Sequence, residues 1–155
     1  MSSDPDAGRP LTLYLVKRLE LVIRALMDDA LRPLGLTTLQ YTALSVLRGR
    51  EGLSSAQLAR RSFLRPQTMH EMVLTLEKRG LIQRTQQTGN KRVLVATLTQ
   101  AGEELLDECA PAVAELEHEL IAALGPEQQH AFREGLERGV DTLAALADAR
   151  RAAQA

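Results

Sequence analysis

At 155 residues the chain has the length of one domain, enough to bury a core that no metal or disulfide needs to hold together. Hydrophobic residues at 45% and charged residues at 25% exclude collagen-like and disordered chains, and no apolar run approaches the roughly 18 residues needed to cross a bilayer. A net charge of -1 conceals an uneven distribution: residues 1–53 carry +1, residues 54–97 carry +6 and residues 98–155 carry -8. A compact basic segment in an otherwise acidic chain is the footprint expected where a polyanion docks, with the acidic remainder keeping other surfaces away from it; a solvated charged face is the plain alternative.

The start, Met1-Ser2-Ser3-Asp4-Pro5-Asp6, lacks the basic and apolar regions of a secretory signal, and Cys109 is the single cysteine, so the expected location is cytoplasmic. From Pro10 onward Leu11, Leu15, Leu19, Val22 and Leu26 recur every three to four residues, which predicts an amphipathic helix ending near Leu31-Arg32-Pro33-Leu34-Gly35. Thr37 with Gln40, and Ser54 with Gln57, have capping-box spacing and predict the starts of a second and a short third helix. Pro66 suits the first turn of a fourth helix because its missing N–H is an orphan donor there, and Gly80 stops that helix.

The period then changes. Leu81–Arg84 and Val93–Leu98 read as two strands, with a turn over Thr88-Gly89-Asn90-Lys91-Arg92. From Thr99, a plausible cap residue, a long helix is expected to reach about Leu124 with a kink at Pro111. Gly125-Pro126 then breaks the chain before a last helix to about Ala149, which carries Phe132, Leu136, Val140, Leu143 and Leu146 on one side. The first and last helices are too apolar on one face to stay bare and must pack on each other or on a second copy of the chain; the small domain that separates them in sequence favours the second copy.

The expected class is therefore mainly α with a small β-hairpin: a winged helix-turn-helix over residues 37–98, flanked by dimerisation helices at 10–35 and 99–150. Its recognition helix is placed at about 66–79 and its wing at about 81–98. In this architecture the second helix of the pair enters the major groove and the hairpin tip offers cations to the DNA backbone or minor groove. On a helix starting at Pro66, Met69, Met72, Val73 and Leu76 face inward, which leaves Gln67, Thr68, His70, Glu71 and Thr75 outward to meet base edges. Ser54 joins these as a candidate DNA contact, and Arg65, Arg84, Lys91 and Arg92 are assigned to phosphates.

The order of four motifs resembles the MarR (multiple antibiotic resistance regulator) family of bacterial transcription factors, over about residues 10–148. They are Leu34-Gly35-Leu36-Thr37, Leu53-Ser54-Ser55-Ala56-Gln57-Leu58-Ala59, Leu76 through Arg84 with Lys78-Arg79-Gly80 inside it, and Leu98-Thr99-Gln100-Ala101-Gly102. The resemblance implies one MarR-type domain over 1–155 and a homodimer. It also implies repression at a pseudo-palindromic double-stranded operator, with release by a small aromatic or phenolic ligand; it implies no enzymatic activity, no cofactor and no membrane partner. Two positions depart from the pattern. Asn90 stands where family wings carry Asp, and Glu71 stands where a basic or neutral residue is commoner.

Arg18, beside the apolar stripe of the first helix, and Tyr41, a polar tip on an apolar helix, are the candidate effector residues. A guanidinium there suits a small aromatic anion, while a snorkelling arginine and a core tyrosine are the plain alternatives. Cys109 follows Asp107 and Glu108, acidic neighbours expected to raise its pKa, so an inert thiol is expected. A competing reading is a helical metal-binding bundle, suggested by Glu115 with His118 and Glu127 with His130. The Gly125-Pro126 break and the missing partner carboxylates weigh against it, and no metal ligands are assigned.

Overall fold

A computed structural model of the chain describes residues 10–155, so the N-terminal hexapeptide read above lies outside the described residues. Six helices and three short strands follow in order: α1 (Thr12–Leu31), a 3-10 turn (Arg32–Leu34), α2 (Thr38–Leu47), β1 (Leu53–Ser54), α3 (Ser55–Arg61), α4 (Pro66–Lys78), β2 (Ile82–Gln87), β3 (Asn90–Leu98), α5 (Gln100–Ala122) and α6 (Pro126–Gln154). No helix among the described residues is long and apolar enough to cross a membrane. The chain divides into two compact units, one up to Ala114 and one from Glu115, with α5 running through the boundary.

In the first unit the core is aliphatic. Leu31, Ala43, Leu44, Leu58, Met69, Val73, Leu76 and Cys109 have no solvent exposure, and Leu47, Ile82 and Leu106 almost none. Both expected capping boxes form. Thr37 Oγ1 accepts from the Gln40 amide and Gln40 Oε1 accepts from the Thr37 amide, and Ser54 and Gln57 repeat the exchange. The end of α1 is tied to the start of α2 by Asp28, whose carboxylate accepts from both the amide and the hydroxyl of Thr38 at 2.7 Å. Those two hydrogen bonds, the amide's first, hold the Asp28 pKa below the ordinary aspartate value.

The sheet has the order β1-β3-β2, all antiparallel. β1 is a strand the periodicity did not anticipate: Leu53 and Ser54 pair with Ala96 and Val95, which anchors the foot of the hairpin in front of α3. The turn is tighter than expected. β3 begins at Asn90, so Thr88-Gly89 alone makes the reversal with Gly89 at φ 85°, and a register shift at Gln86/Gln87 takes up the mismatch.

Thr99 precedes α5 as expected; its hydroxyl accepts from the Gly102 amide and donates to the Gly80 carbonyl. Gly102 is required by packing, because a Cβ there would lie 2.2 Å from the Leu81 carbonyl oxygen. Pro111 lies inside α5 without ending it.

In the second unit the end of α5 and the start of α6 form a helical hairpin. The Gln129 amide group donates to the carbonyls of Ile121 and Leu124, and Arg133 pairs with Glu117 at 2.8 Å. α6 runs five residues beyond the expected end and, over 29 residues, has no fully buried side chain.

Candidate nucleic-acid interface

Helix α4 is built with two unlike faces. Met69, Val73 and Leu76 are fully buried and Met72 packs against the same core, so helical spacing drives positions 67, 68, 70, 71 and 75 outward. Gln67, Thr68, His70, Glu71 and Thr75 are all exposed. Pro66 occupies the first turn as expected, and Arg65, exposed, is the cap residue, making no side-chain cap bond. Among the described residues the helix start therefore presents two amides without partners and a positive end beside a guanidinium, a combination suited to phosphate.

On the polar face the carboxylate of Glu71 accepts a hydrogen bond from the Gln67 amide group at 3.0 Å, and the Thr75 hydroxyl is bonded to the Glu71 carbonyl. Glu71 is thus partnered by Gln67, and the pair fixes the Gln67 side chain along the helix. Lys91 and Arg92 are exposed near the tip of the hairpin, where the Arg92 amide donates to Asn90 Oδ1 at 3.2 Å. Asn90, in place of an acidic residue, braces the turn through this neutral bond.

Two of the expected contact residues are committed elsewhere. Arg84 makes a bidentate pair with Glu77, Nε to Oε2 at 3.0 Å and a terminal nitrogen to Oε1 at 2.9 Å, with only a fifth of its side chain exposed. The Arg84 guanidinium holds the Glu77 carboxyl below the usual glutamate value, so Arg84 braces the wing strand on α4. Ser54 spends its hydroxyl on the α3 cap. Sequence spacing missed the Glu77–Arg84 pair because its partners lie on a helix and a strand, seven residues apart, across the Gly80 turn.

A second cross-element brace was also missed. Arg48, at the end of α2, donates to the carboxylate and the carbonyl of Glu103 at 3.0 Å and to Asp107 at 2.7 Å, which ties α2 to α5. These acidic partners, Asp107 foremost, raise the Arg48 pKa. Asp107 is therefore turned to Arg48, and the Cys109 thiol is pushed up first by burial and then by Glu108.

Arg18 and Tyr41 each have their own setting. The Arg18 guanidinium lies 5.8 Å from the centre of the Tyr14 ring on the same helix, and Tyr41 is half-buried against the core. Among the described residues no three His, Cys, Asp or Glu side chains gather into a metal-binding group. A cavity of about 450 Å³ in the second unit is lined by residues that include Leu120, Ile121, Phe132, His130 and Arg133.

The model of the MarR family matches residues 36–94, the segment containing α2, α3, α4 and most of the hairpin. The HTH-type transcriptional repressor Rv2887 of Mycobacterium tuberculosis is 36% identical over 125 residues, which span 81% of this chain and 90% of the relative. The chain belongs to the MarR family. MarR proteins are transcriptional regulators, and two solved structures of Rv2887 share the fold seen here. Its complex with salicylic acid superposes with a TM-score of 0.69 at 34% identity, covering 85% of this chain and 98% of that one. Its complex with DNA gives 0.67 at 32% identity, covering 83% and 97%. For this MarR protein the winged helix and the long flanking helices are thus the family's own architecture.

Proposed function

We propose that the protein is a homodimeric, DNA-binding transcriptional repressor that reads a pseudo-palindromic operator and is released by a small aromatic anion. The observation that carries this reading is the two-faced α4: one side packed on the core through the buried Met69, Val73 and Leu76, the other an exposed polar row of Gln67, Thr68, His70, Glu71 and Thr75, in a segment of charge +6. In this reading α4 enters the major groove. Thr68, His70 and Thr75 meet base edges together with the Gln67–Glu71 pair, which joins an amide donor and a carboxylate acceptor in one unit. Arg65 at the helix start and Lys91 and Arg92 at the wing hold phosphates, while Arg84 and Ser54 position the elements that carry them.

The homodimer is supported by apolar side chains left bare on the flanking helices. On α1, Leu13, Tyr14, Leu15, Val16, Leu21, Val22 and Leu26 are exposed, and on α6 Leu136, Val140, Leu143 and Leu146 are exposed. Exposed apolar stripes on both flanking helices favour burial against a partner chain. The effector is supported by the salicylic acid complex of the Rv2887 relative. Arg18 supplies the cation for a carboxylate and Tyr41 the neighbouring polar tip.

Fluorescence anisotropy on the intergenic duplex beside the protein's own gene and on a scrambled duplex, across a salt series and with salicylate added, tests the reading. Salt-sensitive preference for the native duplex, relieved by salicylate, is the expected result. Equal binding to both duplexes at every salt concentration overturns it. Salicylate binding unchanged in Arg18→Ala, measured by calorimetry, removes Arg18 from the effector site.

A further inference from the structure

Three helical segments of this protein end in the same hydrogen-bonded motif, and one of them breaks its rule. After α4, Gly80 N–H donates to the Glu77 carbonyl and Leu81 N–H to the Leu76 carbonyl; after the 3-10 turn, Gly35 and Leu36 make the same pair of bonds to Arg32 and Leu31. In both, the penultimate position is left-handed and is glycine, at φ 74° and 75°. After α3 the bonds recur, Phe63 N–H to the Arg60 carbonyl at 3.3 Å and Leu64 N–H to the Ala59 carbonyl at 3.0 Å. Here the left-handed residue is Phe63, at φ 53°, the single non-glycine residue with positive φ among the described residues.

A bulky side chain in that conformation is strained, and glycine is the residue the motif favours. The two turn hydrogen bonds and the packing of Leu64 on the core offset part of the strain, but among the described residues the Phe63 ring itself adds little burial, being 62% exposed. The preceding Ser62 hydroxyl is buried without a partner among the described residues, a second cost at the same turn. The chain has only two phenylalanines, and this one sits bare in the turn between α3 and α4, flanked by the exposed guanidinium-bearing residues Arg60, Arg61 and Arg65. An exposed ring in a turn whose sequence neighbours include three exposed arginines, immediately before the recognition helix, suits a polyanion that also offers apolar surface. Duplex DNA does so through its deoxyribose rings and thymine methyl groups.

We propose that Phe63 is a DNA-contacting residue whose ring packs on the sugar or thymine-methyl surface of the operator, with the strained turn maintained for that contact. This rests on the DNA-binding reading above and adds to it a residue outside the polar face of α4.

The test compares wild type with Phe63→Gly and Phe63→Asn, both of which tolerate the left-handed conformation, by thermal unfolding and by anisotropy on the intergenic duplex. A third arm uses the same duplex synthesised with deoxyuridine in place of thymidine. The expected result is a melting temperature raised by a few degrees together with affinity lowered about tenfold, at an unchanged salt slope because no charge is removed. If the thymine methyl is the surface, the deoxyuridine duplex weakens wild type and leaves Phe63→Gly unaffected; if the sugar is, both proteins respond to the substitution alike. Variants that bind as tightly as wild type overturn the proposal and leave the repressor reading standing. A loss of affinity accompanied by lower melting temperature or an altered salt slope assigns Phe63 a structural role and also overturns it. A wild-type protein with no duplex preference defeats both readings.

Discussion

Helix α4, with 13 residues, seals three side chains completely from solvent, whereas α6, with 29, seals none. Both are amphipathic by sequence. The difference lies in what their apolar sides meet: α4 is closed against α3, the hairpin and the aliphatic core of its own chain, while α6 presents Val140 and Leu143 more than half exposed. Apolar periodicity in a single sequence therefore marks a face that will be buried without telling whether the same chain buries it. In this protein the middle buries its own apolar faces, and on the reading proposed above the bare faces of the flanking helices are covered by a second copy.

The largest expected effect tests the self-sufficient side of that contrast. Leu76→Ala empties a fully buried site on α4 and is expected to lower stability by about 2–5 kcal/mol in urea unfolding. The same truncation at the exposed Leu143 should leave dilute-protein stability nearly unchanged. Equal losses at both sites would erase the distinction.

The partner-dependent side is tested by the double variant Val140→Asp, Leu143→Asp. Its uncovered carboxylates are tolerated by a single chain and are costly in an apolar interface, so self-association should weaken by roughly 3–5 kcal/mol and sedimentation should shift to the single-chain mass. Unaltered association would place the interface elsewhere.

A smaller effect is expected at the junction of α1 and α2. Asp28→Ala removes a carboxylate that accepts two hydrogen bonds from Thr38 and should cost about 1 kcal/mol after allowance for solvent screening. Because the folded-state pKa of Asp28 is depressed, its contribution is fully present above the ordinary aspartate pKa and is lost as pH falls through the folded value. The variant should accordingly show a flatter acid limb in a pH series of unfolding. Glu77→Gln is expected to flatten the same limb, since Arg84 depresses the Glu77 pKa in the same sense.

On the DNA-facing side, Arg92→Ala should weaken binding to every sequence and reduce the salt slope by about one unit. Gln67→Ala should cost roughly 1–3 kcal/mol on the preferred site alone. Neutral behaviour of both would remove the wing and α4 from the interface.

Much of this frame was legible before any coordinates. Thr37 with Gln40 and Ser54 with Gln57 form the capping boxes their spacing implies, and Pro66 and Gly80 bracket α4 as punctuation residues do. Local chemistry decides those features, so a local pattern reveals them. Strand β1 escaped because two residues carry no period and its partner lies some forty positions away. Asn90 was read as turn although it is already strand, because a two-residue reversal at Thr88-Gly89 needed only one glycine with positive φ.

At the site, the outward set on α4 followed from helical spacing, but the commitments of individual side chains did not. Arg84 to Glu77 and Arg48 to Glu103 and Asp107 are tertiary pairs that a charge count cannot assign. Phe63 was invisible for a related reason: its strain exists only once α3 ends in a left-handed turn.

The most direct test of the account is the mass of the protein–DNA complex in analytical ultracentrifugation, using a duplex with two half-sites centred about 10 bp apart or a multiple of it. Two chains per duplex for wild type, with no such complex for Val140→Asp, Leu143→Asp, is the predicted result. A stable, sequence-preferring complex of one chain per duplex would contradict the claim that the middle reads DNA while the flanking helices hold two copies together.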